Sequence, residues 1–336
     1  MPGVSVPSTG GYDDFVVLLA RQRSGTNALR SVLKTHPEIH CFNEILNASH
    51  RHAERPVLRR QSYFRWLANH AGGDAEQFMP EQQETVFLGF LDHLRRLSRF
   101  PVKVVDVKYN TAHLIALPYQ RLGTCGLLEL IREREMRVLN LVRQNYLRPY
   151  LSLKRATVTG VFGARGDRAV EEPVVRIDVG ELLWTLEQSR REDALVEHAF
   201  AGYTGYLKCE YSEVFAPEGA ADPAALGRIA SWLGVDPTFG VVPKTRKLTA
   251  LPLWQAIENW DEVEAALRGP HLPIASTKSR SMPARGGRGV IPPPERPGSR
   301  SSTARCSARL GEIPPPRERG SAAGSRPVCG AAASSG

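Results

Sequence analysis

Apolar runs alternate with amphipathic segments along about the first 270 residues of the chain. Phe15–Ala20 and residues 138–142 read as buried strands, and Val102–Lys108 is rich in β-branched valine. Leu29 and Leu33 follow the first run with the spacing of one helix face. Strands that alternate with helices predict an α/β fold, with a parallel sheet covered on both faces and a ligand site at the carboxyl ends of the strands.

Later segments extend this alternation. Residues 174–177 predict a further strand, and residues 181–200 predict a long helix. Asp222 and Pro223 are typical of a helix start, and Gly234 of a helix end. Residues 36–47 predict a loop with a short extended piece.

A polar loop joins the first strand to the first helix and predicts an anion site. A helix start offers unpaired backbone N–H groups and the positive end of a dipole. Gly25 allows the backbone to approach an anion, and Ser24, Thr26 and Asn27 add side-chain donors. Arg23 adds a fixed planar charge. The loop is not a Walker A sequence, because no lysine follows Gly25.

A second segment predicts a partner for this loop. Arg143 follows the apolar run at 138–142, and the next residues predict a helix with Asn145 as its N-cap and Pro149 near its start. Ser152 lies further along this helix. We therefore expect Arg143 and Ser152 to face a common anion.

These two segments together resemble the sulfotransferases that use 3′-phosphoadenosine 5′-phosphosulfate (PAPS) as donor. Arg-Ser-Gly-Thr directly after the first strand is similar to their 5′-phosphosulfate loop, in which Arg23 matches the basic residue and Thr26 and Asn27 match the polar residues after the glycine. The segment that contains Arg143 and Ser152 is similar to their 3′-phosphate motif.

The form of the second motif looks like the bacterial carbohydrate sulfotransferases of the nodulation-factor and trehalose type. The gap from Arg143 to Ser152 is one residue longer than in cytosolic members, so Arg148 could share the role of Ser152. Weaker matches at 207–215 and 253–263 extend the resemblance over residues 14–268. The resemblance implies a P-loop-like three-layer α/β fold, with a central parallel sheet flanked by helices, over residues 14–272.

The resemblance also implies the reaction and the residues that perform it. A sulfonate would move from PAPS to a hydroxyl of a carbohydrate or glycolipid by in-line displacement, without a metal. Arg23 would balance the charge that develops on the leaving group. Glu44, in a Phe-Asn-Glu-Ile-Leu stretch similar to one in the bacterial members, would be the general base, with His40, His50 and His52 as alternatives.

Two other interpretations remain open at this point. A P-loop-like nucleotide or small-molecule kinase shares the strand–loop–helix arrangement, although its lysine is missing here. An inactive adenosine-bisphosphate-binding member is the other, because Gly-Pro-His at 269–271 departs from the closing segment of the family. Lys108 and Tyr109 end a strand on the predicted ligand side, and their roles are open.

The net charge of +9 belongs to the end of the chain. Residues 276–336 carry eleven Lys or Arg and three Asp or Glu, which leaves +1 for the rest. We therefore expect no nucleic-acid partner for the folded part. Proline triplets at 292–294 and 314–316 and the lack of aromatic residues predict a disordered basic tail over 273–336. Residues 1–13 predict a flexible N-terminus.

The remaining composition predicts a cytoplasmic protein. Five cysteines show no metal-like spacing and no even disulfide framework, which favours free thiols. The N-terminal residues lack the features of a signal peptide, and no stretch is long enough to span a bilayer. The resemblance leaves open a homodimer.

Overall fold

A five-stranded parallel sheet forms the centre of the computed structural model. The structure describes residues 11–70, 79–117, 124–160, 173–216, 219–240 and 251–269. The chain divides into one unit from Met1 to Lys278 and a second from Ser279 to Gly336, and every described residue lies in the first. The predicted tail over 273–336 and most of the predicted flexible N-terminus lie outside the described residues.

The strands are parallel at every described pairing, and their order is β2-β3-β1-β4-β5. They span Phe15–Ala20 (β1), Ile39–Glu44 (β2), Val102–Lys108 (β3), Arg137–Val142 (β4) and Tyr206–Glu210 (β5). In the central register, Val17 of β1 lies beside Val105 of β3 and Val138 of β4. The predicted α/β class, with a central parallel sheet between helices, is confirmed.

Helices connect the strands and cover the sheet. They are α1 (Thr26–Leu33), a 3-10 helix (Ala48–His52), α2 (Pro56–Arg60), α3 (Tyr63–His70), α4 (Pro80–Leu97), α5 (Tyr109–Ala112), α6 (Gly126–Glu133), α7 (Leu147–Thr159), α8 (Val179–Ala199), α9 (Tyr211–Val214), α10 (Pro223–Leu233), α11 (Leu253–Ala256) and α12 (Trp260–Leu267). None of the described helices is both long and apolar enough to cross a membrane.

Strand β1 is apolar throughout because both of its faces are buried. Val17 and Leu19 pack into a cluster with α3, α4 and α6, whereas Val16 and Leu18 pack into a cluster with α1 and α10 on the other face. This alternation follows from the two-residue period of a strand. A third cluster joins α7, α8 and α12 beside the sheet.

Some predicted elements differ from those observed. The short extended piece predicted within the loop at 36–47 is a six-residue edge strand, β2, whose half-exposed His40, Asn43 and Glu44 are tolerated because an edge meets solvent. Residues 174–177 form no strand of the sheet, and Val175 makes an isolated parallel bridge to Ile257.

Two other elements follow their local sequence signals. Helix α10 begins as predicted, with Asp222 Oδ1 accepting from Ala225 N at 2.8 Å, and Gly234 ends it in a left-handed conformation. Helix α7 starts at Leu147 with Tyr146 as its N-cap residue, one position after the predicted cap, Asn145.

Candidate active site at the carboxyl ends of β1 and β4

The candidate site lies at the carboxyl end of β1, the central strand. The strands on either side of β1 are β3 and β4, so connections from β1 and its neighbours leave toward opposite sides of the sheet. Such a switch point opens a crevice for ligands. The register places Ala20 of β1 beside Lys108 and Leu141, and the polar loop begins at the next residue.

The loop has two left-handed residues. Arg23 has φ 65° and Gly25 has φ 97°, and Gly25 is the N-cap residue of α1. A Cβ atom at residue 25 would lie 2.3 Å from Cε2 of Tyr211, which packs across the turn. Position 25 therefore requires glycine for its backbone conformation and for the close approach of a ring.

The structure brings the two predicted anion motifs together. Arg23 Nε and a terminal nitrogen donate to Ser152 Oγ at 3.0 and 2.8 Å, across 129 residues of sequence. Arg143 donates to the Arg23 carbonyl at 3.4 Å, and its guanidinium lies 4.8 Å from the centroid of the Tyr211 ring. Arg23, Arg143 and Ser152 thus converge at the ends of two adjacent strands.

Both arginines are partly buried. Burial lowers the pKa of the Arg23 guanidinium, and the nearby Glu44 carboxylate opposes that shift. Burial likewise lowers the pKa of Arg143. The ordinary pKa of arginine is so high that both side chains stay charged at neutral pH. Their charges are less screened than those of exposed arginines, so an anion here would be held more strongly.

The other predicted loop residues have different surroundings. Ser24 is buried, and its backbone N–H donates to the Arg21 carbonyl at 3.3 Å. Thr26 Oγ1 accepts from Lys108 Nζ at 2.6 Å, which leaves its hydroxyl hydrogen as a donor. Asn27 is exposed, and its Oδ1 accepts from Arg30. The predicted contacts of Ser24, Thr26 and Asn27 with an anion stay predictions.

A buried cluster of charged side chains contacts the start of α1, next to the anion loop. Asp106 is fully buried, with Lys108 Nζ 2.5 Å from one carboxylate oxygen and Arg30 Nε 3.2 Å from the other. Lys108 Nζ also lies 3.6 Å from Glu44 Oε1. Because Lys108 contacts Thr26 as well, it connects the predicted base to the anion loop.

The candidate bases fall at different ends of β2. Glu44 ends β2 on the loop side, and its Oε2 accepts from Asn47 at 2.9 Å. His40 pairs with Lys103 near the start of β2, about 13 Å from Glu44 by strand rise. Its ring packs on Phe42, and burial lowers its pKa. His50 Nδ1 lies 3.1 Å from the Glu44 carbonyl oxygen. This placement disfavours His40 as a base.

The role of Arg21 could not be predicted from the residues around it. Its Nε lies 3.0 Å from a Glu192 carboxylate oxygen, and a terminal nitrogen lies 3.0 Å from Asp193 Oδ1. The guanidinium is also 5.4 Å from the centroid of the Tyr109 ring and 5.1 Å from that of Tyr146. Arg21 therefore fastens the start of the loop to α8.

A cleft of about 320 Å³ opens beside the loop, and Arg23 forms part of its wall. The other walls come from α7 and the residue before it, from α8, and from Asn110 of α5. The lining residues are Arg21, Gln22, Arg23, Asn110, Tyr146, Pro149, Tyr150, Leu153, Trp184, Thr185, Gln188, Ser189 and Glu192. Within the described ranges, no group of three or more His, Cys, Asp or Glu side chains is placed to hold a metal ion.

Comparisons with known proteins find similarity among solved structures. No protein-family model and no curated protein matches the chain. Among solved structures, it is similar to the mouse sulfotransferase SULT7A1 complexed with PAP, with 14% identity, 68% of this chain and 62% of that chain covered, and a TM-score of 0.35. This chain therefore matches less than two thirds of the mouse chain.

Proposed function

We propose that this protein is a sulfotransferase that moves a sulfonate group from PAPS to a hydroxyl of a carbohydrate or glycolipid. The observation that carries the proposal is the contact of Arg23 with Ser152, beside Arg143. These residues belong to two sequence segments that resemble the motifs for the two anionic ends of one donor. A donor with two separated anionic groups explains why both segments converge at one place.

In this proposal each segment binds one end of the donor. Arg23, Ser24, Gly25, Thr26 and Asn27 bind the 5′-phosphosulfate at the start of α1, where backbone N–H groups favour an anion. Arg143 and Ser152 bind the 3′-phosphate. The Arg23–Ser152 contact supports a shared site, because each side chain already lies within hydrogen-bond reach of the other.

Sulfonate transfer then needs one base and one charge-balancing group. Glu44 takes the proton of the acceptor hydroxyl, whose oxygen forms a bond to sulfur. The bond from sulfur to the bridging oxygen breaks, and its electron pair stays on the leaving phosphate. Arg23 balances that charge, and catalysis comes mostly from positioning and electrostatics. The Lys108 ammonium, 3.6 Å from the Glu44 carboxylate, holds the base on the loop side of β2.

Donor binding is the first test of this proposal. We expect adenosine 3′,5′-bisphosphate to bind in titration calorimetry, and the Arg143→Ala variant to bind it about 30-fold or more weakly, because truncation of a buried charged partner costs about 2 kcal/mol or more. Arg268→Ala is the matched control, since the Arg268 side chain is 75% exposed and pairs with Glu264, four residues earlier in α12. A protein that binds ATP–Mg²⁺ but does not bind the bisphosphate would favour the kinase alternative and overturn the proposal.

Transfer itself is measured with labelled PAPS and a panel of saccharides. Glu44→Gln should keep the bisphosphate affinity and lose transfer, since it removes the base without removing the donor site. Arg23→Ala should lower kcat by about 10²–10³, the usual cost of losing a preorganised donor. A chain that binds the bisphosphate but transfers nothing to any saccharide is the inactive family member. A cytoplasmic location and a homodimer stay predictions from the sequence.

A further inference from the structure

We propose that the cleft between the loop, α7 and α8 binds the acceptor as a neutral saccharide, with Trp184 as its stacking surface. The identity of the ligand as an acceptor rests on the proposed function. The residues that line the cleft support the site itself and the class of ligand. Arg23 belongs both to the cleft wall and to the anion site. A ligand in the cleft would therefore lie next to the group that the donor loop is proposed to hold.

The cleft contains a large aromatic side chain, Trp184, that is exposed to solvent. The side chain of Trp184 on α8 is 65% exposed, although tryptophan is among the most strongly buried large residues on average. The apolar wall is completed by Tyr150 and Leu153 on α7 and by Tyr146, the N-cap residue of this helix. An exposed aromatic side chain in a concave site is typical of a recognition surface, and a flat ring can pack against the C–H face of a sugar.

The charges of the cleft cancel almost completely. Arg21 is paired with Glu192 in the cleft and with Asp193 behind it. Arg23, the third charged residue in the described lining, donates to Ser152 Oγ at the anion site. Since Arg23 faces the anion site, the cleft itself favours a neutral ligand over an anion or a cation.

Three neutral amide side chains also line the cleft. Gln22, Asn110 and Gln188 line the cleft, and their side-chain amides form no hydrogen bond within the part of the chain that the structure describes. An amide carries both donors and acceptors, as a sugar hydroxyl does. A phenol or a steroid with a single hydroxyl could pair with only some of these amides and would cover the others, which favours a ligand with several hydroxyls.

The size of the cleft limits the ligand. A volume of about 320 Å³ lies at the lower end of the roughly 300–1,000 Å³ of small-molecule sites. It suits a short saccharide or the terminal unit of a glycolipid, whose remaining part would extend into solvent.

Saturation-transfer NMR on the full chain tests this site directly, with and without adenosine 3′,5′-bisphosphate. The probes are cellobiose, lactose, trehalose and chitobiose, with 2-naphthol as the apolar comparison. We expect at least one disaccharide to bind, and Trp184→Ala and Gln188→Ala each to weaken it tenfold or more. Trp254→Ala is the matched control, because Trp254 is 55% exposed on α11 and does not line the cleft.

The outcomes separate this inference from the proposed function. Unchanged disaccharide binding in Trp184→Ala and Gln188→Ala, or binding of 2-naphthol with no disaccharide, would overturn the cleft assignment even where the bisphosphate binds. Disaccharide binding that depends on Trp184, in a protein that does not bind the bisphosphate, would uphold the cleft and overturn the sulfotransferase proposal. An absence of binding by all five probes in both conditions also overturns the cleft assignment.

Discussion

At the scale of single residues, Gly25 is restricted both by its own backbone and by a neighbouring ring. Its φ of 97° is unfavourable for any residue with a Cβ atom, and that atom would lie 2.3 Å from the Tyr211 ring. Gly202 has a similar φ of 71°, but a Cβ atom there would meet nothing within 4 Å. Alanine at position 202 would therefore introduce backbone strain alone, whereas alanine at position 25 would introduce backbone strain and steric overlap.

We predict that Gly202→Ala lowers the free energy of unfolding by about 1 kcal/mol, the cost of a left-handed residue. Gly25→Ala should lower it by about 2–4 kcal/mol, because overpacking adds about 1–3 kcal/mol to the same strain. Urea unfolding of both variants measures the difference. Equal losses in the two variants would show that Tyr211 moves away without cost.

Asp14, just before β1, makes stability depend on pH. Arg95 contacts both of its carboxylate oxygens, at 2.7 and 3.0 Å, and Lys103 Nζ lies at 3.0 Å. Burial by itself would raise the pKa of Asp14, but these hydrogen bonds and charges outweigh it and hold the pKa below its ordinary value. A lowered pKa contributes stability above the ordinary value, and this contribution disappears as the pH falls through the lowered one.

We therefore predict that Asp14→Asn is less stable than the parent chain at pH 7 by about 1–2 kcal/mol, a value at the low end for charged hydrogen bonds because the carboxylate is partly exposed. The difference should shrink as the pH falls below 4. Urea unfolding at pH 7 and at pH 3 measures it. Asp13→Asn is the control, because Asp13 is exposed. A difference that stays constant between the two pH values would contradict the assignment.

At the scale of elements, Arg21 joins the anion loop to α8. Asp193 on α8 is 6% exposed and also accepts from the Tyr146 hydroxyl at 2.6 Å, so the contact of Arg21 balances a buried carboxylate. Removing one partner of a buried pair is costly, because the other charge stays buried. By contrast, Arg191 on the same helix is 68% exposed and pairs with Glu187 four residues earlier.

We predict that Arg21→Ala lowers the free energy of unfolding by about 3 kcal/mol and also weakens bisphosphate binding, because the loop loses its attachment to α8. Arg191→Ala should change stability by less than about 0.5 kcal/mol and leave binding unchanged. Thermal unfolding and calorimetry measure the two effects. Normal bisphosphate affinity in a destabilised Arg21→Ala variant would limit Arg21 to a structural role.

The sequence predicted those elements whose signals are local. The ends of α10 could be predicted because Asp222, Pro223 and Gly234 act on their own helix. The anion loop could be predicted because an apolar strand, a glycine and a helix face follow one another. For β2, only a short extended piece within a loop could be predicted, since its polar residues become a full strand through pairing with β3, about sixty residues later. The partner of Arg21 at Glu192 lies 171 residues away, with no local signal at either position.

At the scale of the whole molecule, most of the net positive charge lies in residues that follow the last described element. Residues 279–336 carry ten Lys or Arg and three Asp or Glu, whereas all described elements end by residue 269. The first unit ends at Lys278. Long-range attraction to polyanions should therefore come from the last residues of the chain.

We predict that a chain ending at Lys278 keeps the unfolding midpoint and the bisphosphate affinity of the full chain. It should be released from a heparin or cation-exchange column at much lower salt, because most of the net charge has been removed. Differential scanning calorimetry and salt-gradient elution measure these properties. A midpoint lower by several degrees would mean that the last residues contribute to the stability of the fold.

The central position of β1 also determines when the site can form during synthesis. β1 pairs with β3 from Phe15 beside Lys103, and with β4 from Val16 beside Arg137. The ribosome therefore releases this fully apolar strand long before either neighbouring strand exists, and Ser152 is made later still. Such distant pairing is slow, and an unpaired apolar strand is prone to aggregation. The segment that comes first in the chain thus completes its structure late, and chaperone protection should matter most for the nascent chain before β4 emerges.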